Sequence, residues 1–321
     1  MKLVVLFLLL TSQVFASQTI KLATLAPEGT TYANTLKDIA AEVSKVTEGR
    51  VKFKIYYGGV AGDEPDVLRK VHVGQMHGAV FTGKTLGDIF GDIRAMEIPY
   101  NFYQNREKAY ATLTKFSEYF RNGLKEKGFV GLGFYEIGQV YIVSSKKISG
   151  MDELKGSKIW SWEGDELVKT LVDQLKLVSV PLALPDVLSS LSTGIIDSAY
   201  APPLGILAMQ WNTKVKYLVD FPVAYSVGAL LISQKAWSSV SAQDQKSIME
   251  ISDKYVKQSS TSSVNENKQA LQVFKQAGIE FLPMPEKDLK NAENIRKNVI
   301  EKLQGKLFSK KIVEMLDKER K

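Results

Sequence analysis

The sequence predicts an α/β protein in two discontinuous lobes, each built on a mostly parallel sheet flanked by helices. Three observations predict it. Strand-like and helix-like runs alternate from Thr19 to Tyr135, as they do where helices wind around a parallel sheet. Two apolar strand runs, Gln139–Ser144 and Ser226–Ile232, read as an outward and a return crossing between lobes. A helical pattern then runs from Ser241 to about Ala277 without Pro or Gly. At ~1.5 Å per residue that helix reaches on the order of 50 Å, more than one small lobe requires. The chain has 321 residues, 45% of them apolar, enough for two ordinary cores.

Each element has its own signal. Strand Thr19–Leu25 precedes a helix from Thr31 to about Thr47, whose Leu36, Ile39, Ala40, Val43 and Val46 recur at the helical period. Gly49 stops it. Val51–Tyr57 alternates apolar and basic residues as a strand, and Gly58-Gly59 turns the chain. Asp63-Glu64-Pro65-Asp66 opens a helix ending near Gly74, with Pro65 in the first turn, where its missing donor costs nothing. A short strand, Gly78–Phe81, meets Thr82-Gly83-Lys84. A helix from Arg106 to about Lys127 leads to strand Phe129–Tyr135.

Past the first crossing, the strand Ile159-Trp160-Ser161-Trp162 runs into Glu163-Gly164-Asp165 and a helix pattern. Pro185-Asp186 starts a small helix ending at Gly194, and strand Ile195–Tyr200 stops at Ala201-Pro202-Pro203. The polar middle of the long helix, Gln258–Ser263, leaves open a break into two helices, because serine is a weak helix former. Strand Ile279–Pro283 and helices Glu286–Leu303 and Ser309–Glu319 close the chain. The expected lobes are 17–138 with 227–258, and 139–226 with 259–321.

Composition narrows the function. Met1–Ala16 carries Lys2, an apolar run from Leu3 to Leu10 and the small-residue site Val14-Phe15-Ala16, which reads as a cleaved secretory signal peptide at 1–16. The apolar run is well short of the ~20 residues of a spanning helix; a retained N-terminal anchor is the alternative if cleavage fails. No cysteine is present, so disulfides, thiol nucleophiles and Cys metal sites are out. With no cysteine to lipidate, the mature chain is expected to be free and soluble in a bacterial periplasm. The formal charge of +7 is spread among interleaved acids, which argues for a solvated surface and against a nucleic-acid face.

Signals for catalysis are missing. His72 and His77 are not at a metal-ligand spacing, and neither a G-x-S-x-G elbow nor a complete phosphate loop occurs. Adjacent acids such as Asp63 and Glu64 read as capping groups, whereas two-carboxylate catalysis needs opposed groups across a cleft. The sequence therefore predicts a binding protein rather than an enzyme, with no catalytic, metal or cofactor residues.

Several segments resemble the substrate-binding proteins of TRAP transporters, the DctP family. They are Ile20–Ala33, Val51–Tyr56 with Gly58–Glu64, the L-K-G-x-K-I-like entry within Met151–Ile159, and Leu154–Pro203 as a whole. The resemblance covers nearly the whole mature chain. It implies a periplasmic-binding-protein fold and a long helix that spans both lobes and braces a hinge. It also implies a small-molecule ligand in the interlobe cleft and delivery to the small and large subunits of a membrane permease. A sensor or carrier that serves another partner is the alternative. The oligomeric state is open, with a monomer favoured over pairing through the long helix.

Ligands of open α/β sheets sit beyond the carboxyl ends of the strands, and the loops expected there are rich in aromatics, which bury large areas with few rotors. The expected contacts are Glu28, Phe81, Tyr135, Trp160, Trp162, Asp165, Tyr200 and Trp211, although plain packing is an alternative for each aromatic. The resemblance implies an arginine, gripping a ligand carboxylate, where Trp160 stands in Lys158-Ile159-Trp160. It places two further family anchors at Val140 and Ala201, so three polar groups are replaced by apolar ones. A buried carboxylate without a paired donor is costly. The expected ligand is therefore apolar or amphipathic, its polar end meeting Glu163, Asp165, Gln139, Tyr135 or Lys84. The alternative is a carboxylate held by another cation, or by a metal bridging Glu163 or Glu136.

Overall fold

The computed structural model describes residues 17–103, 105–147 and 155–320. The expected signal peptide at 1–16 and residues 151–154 of the entry motif lie outside the described residues.

Three parallel strands open the chain: β1 (Gln18–Ala23), β2 (Val51–Tyr56) and β3 (Gly78–Thr82), with β1 between the other two. Helix α1 (Thr31–Val46) joins β1 to β2. The Thr30 hydroxyl caps it by accepting from the Ala33 N–H, and Leu36, Ile39 and Val43 fall on its buried face. Helix α2 (Glu64–His72) is capped by Asp63 and carries proline in its first turn. The sequence signal missed α3 (Gly83–Ile89) and the 3-10 turn Gly91–Glu97 after it, which are too short to establish a period.

Helix α4 (Arg106–Glu126), capped by Asn105, leads into β4 (Phe129–Ser144). Two strands were expected here, and one continuous strand is found. Irregular register at Gly131/Gly133 and Glu136/Gly138 hid its continuity by breaking the alternation that marks a strand. The first part of β4, as far as Val140, pairs antiparallel with β9 (Ala224–Ser233), and from Tyr141 it pairs with β7 (Ser198–Ala201). β4 is thus shared between two groups of strands.

In the second group, β5 (Lys158–Ser161) lies parallel to and between β7 and β6 (Val178–Pro181). Helix α5 (Glu166–Gln174) follows β5, α6 (Val187–Thr193) follows β6, and α7 (Pro203–Ala208) follows β7. The sheet order is β2-β1-β3-β9-β4-β7-β5-β6. β8 (Tyr217–Val219) pairs with β4 and with β10 (Glu280–Leu282), off that path. Pairing is antiparallel only where β4 or β9 takes part.

After the short α8 (Gln234–Trp237), α9 (Ala242–Gln276) runs unbroken for 35 residues. The break left open in its Ser-rich middle does not occur, because these serines face the bulged part of β4. Ser259, Ser260 and Ser263 are buried. The Ser260 hydroxyl accepts from the Glu136 N–H at 3.5 Å, and the Ser263 hydroxyl donates to the Glu136 carbonyl at 3.4 Å. Close approach also explains Gly133, where an added Cβ would lie 2.6 Å from a Val256 methyl. Along its length α9 packs on α1, β4 and α7.

Helices α10 (Glu286–Leu303) and α11 (Lys310–Arg320) end the chain. α10 packs on α5, but α11 packs on α4 and the Gly91–Glu97 turn. The last helix, expected with 259–321 in the second lobe, thus contacts elements expected in the first. Ile312, Val313 and Leu316 bury beside Phe116 and Phe120, and Asp92 accepts from the Ser309 N–H and hydroxyl at 2.5 and 2.7 Å. No helix among the described residues is long and apolar enough to cross a membrane.

Candidate ligand cavity

A cavity of about 220 Å³ lies at the ends of the strands, between the two strand groups. On one side, the loop after β1 contributes Thr24 to Pro27, the start of α1 contributes Thr30 and Tyr32, and Thr82 and Gly83 contribute from the end of β3. On the other side, β5 and β7 deliver Trp160, Trp162 and Tyr200, with Met209 and Trp211 behind them. Trp160 is only 2% exposed yet lines this space. Its ring stacks on Tyr200 (centroids 5.0 Å apart, 25°) and meets Trp162 and Trp211 edge-on at 5.0 and 5.5 Å. Its indole N–H donates to the Leu182 carbonyl at 3.0 Å, so what it offers the cavity is a hydrocarbon surface. The Trp162 N–H donates to Asp63, the cap of α2, at 3.1 Å.

Of the eight expected residues, six line the cavity: Tyr135, Trp160, Trp162, Asp165, Tyr200 and Trp211. Phe81 does not. Successive residues of a strand point to opposite faces; Val80 and Thr82 take the cavity side of β3, and Phe81 is fully buried in the core. Glu28 is exposed and stands outside the lining. Among the expected polar partners, Glu163 is exposed, Lys84 pairs with Asp88 at 2.6 Å and Gln139 donates to the Tyr103 carbonyl at 2.7 Å. Glu136 is gripped by the Arg106 fork. No group of three or more His, Asp or Glu side chains positioned to hold a metal occurs among the described residues.

The polar groups that do reach the cavity include several the sequence did not flag. Arg94, on the Gly91–Glu97 turn, is the one basic side chain among the described lining residues. One guanidinium nitrogen donates to both Asp165 oxygens at 2.7 and 2.9 Å, and another pairs with Glu97. Burial opposes the Arg94 charge; Asp165 and Glu97 more than restore it. Asp165 also caps α5, accepting from the Leu167 and Val168 N–H groups. Glu97 accepts from the Val227 N–H at 3.0 Å, and burial raises its carboxyl despite Arg94. Glu64 accepts from the Thr82 N–H and hydroxyl, both at 2.7 Å, and burial pushes it up to about 8. The Tyr135 and Tyr200 hydroxyls are buried without a hydrogen-bond partner among the described residues.

Because Glu64 binds its proton more tightly when folded than when unfolded, it favours the folded state below its ordinary carboxyl value. That contribution is lost as pH rises through about 8. We expect Glu64→Gln, which preserves shape and hydrogen bonds, to flatten the pH dependence. From pH ~5.5 to ~7.5 the parent should lose about 2 kcal/mol more than the variant in urea unfolding. Parallel curves would show that Glu64 is already ionised.

A family model described as bacterial extracellular solute-binding protein, family 7 (DctP) matches residues 22–307. The chain belongs to the DctP family. This is a family of non-catalytic solute-binding proteins. The chain is 24% identical over 230 residues to a solute-binding protein of Chromohalobacter salexigens, covering 70% of this chain and 66% of that one. It is 20% identical over 235 residues to the C4-dicarboxylate-binding periplasmic protein DctP of Rhodobacter capsulatus, covering 73% and 70%. Among solved structures, a TRAP periplasmic solute-binding protein from Desulfovibrio salexigens with bound orotic acid superposes with a TM-score of 0.85 at 20% identity, over 94% of this chain and 98% of that one. One from a Bradyrhizobium species in complex with galacturonate superposes with a TM-score of 0.87 at 18% identity, over 94% and 99%. These likenesses show the DctP fold, including the long α9.

Proposed function

We propose that the chain captures an apolar or amphipathic small molecule in this cavity and delivers it to the small and large membrane subunits of a TRAP-type permease. It would do so in the periplasm, after loss of residues 1–16. The carrying observation is that Arg94, the one basic side chain of the described lining, is already paired with Asp165 and Glu97; the family resemblance adds that Trp160 stands where an arginine would grip a carboxylate. The third acid of the described lining, Glu64, holds its proton up to about 8 and adds no cation to meet a ligand carboxylate. A ligand carboxylate would have to compete with two buried carboxylates for the one lining cation. The apolar wall around Trp160 favours hydrocarbon instead.

In this reading the first lobe comprises 17–138 and 227–258 together with α11, and the second comprises 139–226 and the rest of 259–309. A ligand touching both sides of the cavity favours the shut arrangement, which then engages the permease. Isothermal titration with galacturonate and orotate is expected to give no measurable heat of binding, and native mass spectrometry of the purified protein to show a co-purified apolar species. A saturable uronate isotherm would overturn the reading.

A further inference from the structure

The cavity does not end at the aromatic wall. Ile159 and Trp160 are neighbours on β5 and point to opposite faces of the sheet; they belong to separate packed clusters. Both nevertheless line the same cavity. The space therefore continues from the Trp160 face, past the end of β5, to the opposite face beneath α5. There its lining is hydrocarbon: Leu167, Leu171, Val172 and Leu175 of α5 and its C-terminal end, with Ile142 and Ile159 facing them from β4 and β5. Asp165, held by Arg94, stands where the two compartments meet, because it caps the first turn of α5.

We infer that this second compartment is a tail-binding arm, and that the solute is a single-tailed amphiphile with a neutral head. The inference rests on the reading that the cavity accepts an apolar or amphipathic solute, and it adds where the tail goes and what the head is. The arm is elongated: from Leu167 to Leu175 α5 advances ~12 Å, a length that suits one extended chain. Compact aromatic or ring ligands fill the Trp160 side without needing the arm. At the junction Arg94 already holds Asp165 and Glu97, so a carboxylate head would have to displace a buried acid. The Tyr135 and Tyr200 hydroxyls, buried without partners among the described residues, offer hydrogen bonds that a hydroxyl-bearing neutral head satisfies.

The test is a titration of the full mature chain with monoacylglycerols of increasing tail length, from monobutyryl- through monooctanoyl- and monodecanoyl- to monopalmitoylglycerol, followed by tryptophan emission. Each added methylene is expected to tighten binding about fourfold until the arm is full, after which affinity levels off. Leu171→Trp, which fills the arm, is expected to weaken monodecanoylglycerol about thirtyfold or more, the loss of two or three buried methylenes, and to weaken monobutyrylglycerol, whose tail reaches less far, by a much smaller factor. If that variant does not fold, Leu171→Ala decides the matter, since it enlarges the arm and moves the levelling-off to longer tails. Affinities independent of tail length, or tail dependence untouched by both variants, would overturn the arm and leave the apolar-ligand reading standing. Binding of uronates with no binding of any monoacylglycerol would remove both.

Discussion

Arg94→Ala is expected to destabilise the protein by ~3–5 kcal/mol in urea unfolding at neutral pH, because it strands Glu97 and Asp165 as buried, unpaired carboxylates. Both acids are nine-tenths or more buried, so neither can turn to water for its missing partner. The loss should depend on pH with a definite sign. Burial already raises the Glu97 carboxyl against the pull of Arg94, so without the guanidinium Glu97 holds its proton still more tightly in the folded state than in the unfolded one. The variant therefore recovers stability as pH falls and loses it as pH rises. Arg94→Lys should recover only part of the loss, since an ammonium cannot present the two-pronged fork that Asp165 accepts. A loss below about 1 kcal/mol, or one independent of pH, would show that water already reaches these acids.

Trp160→Ala is the second large effect. The ring is buried in a cluster with Trp162, Tyr200 and Trp211, and removing it should cost ~3–5 kcal/mol of stability by leaving a void. A drop in ligand binding by this variant would therefore mix loss of contact with loss of order. Trp160→Phe separates them: it retains most of the packing while surrendering the bond to the Leu182 carbonyl and part of the hydrocarbon surface. Its expected stability loss is about 1–2 kcal/mol. Its expected affinity loss for a bound amphiphile is about tenfold, read by titration calorimetry. Unchanged affinity in Trp160→Phe, with a folded protein, would remove Trp160 from ligand contact.

The parts of the fold visible in the sequence were those with long-range regularity. Helices α1, α4, α9 and α10 announce themselves through apolar spacing and capping residues, and their ends fall within a residue or two of expectation. The missed parts were short or irregular. β4 looked like two strands because its glycine bulges disturb the alternation, and α3 with the Gly91–Glu97 turn is too brief to show a period. The site divides along the same line. Aromatics at the ends of β5 and β7 were legible because strand-end loops have little core to fill. Phe81 was misplaced by one step of alternation, and Glu28 faces solvent. Arg94 was invisible because it sits on an unpatterned segment and because its partner Asp165 is 71 residues away. The sequence showed only a helix pattern after Asp165, and nothing in that pattern marked Leu167, Leu171 or Val172 as cavity lining.

The aromatic cluster has an optical consequence. The chain contains four tryptophans, and three of them, Trp160, Trp162 and Trp211, share one wall, with Trp160 within 5.5 Å of both others. At such separations the excited states of the rings couple, so near-ultraviolet circular dichroism should carry an exciton signature originating in this wall. A solute that reorients any one of the three indoles would change that signature without label or dye, which gives the unmodified protein an intrinsic reporter of its own cavity.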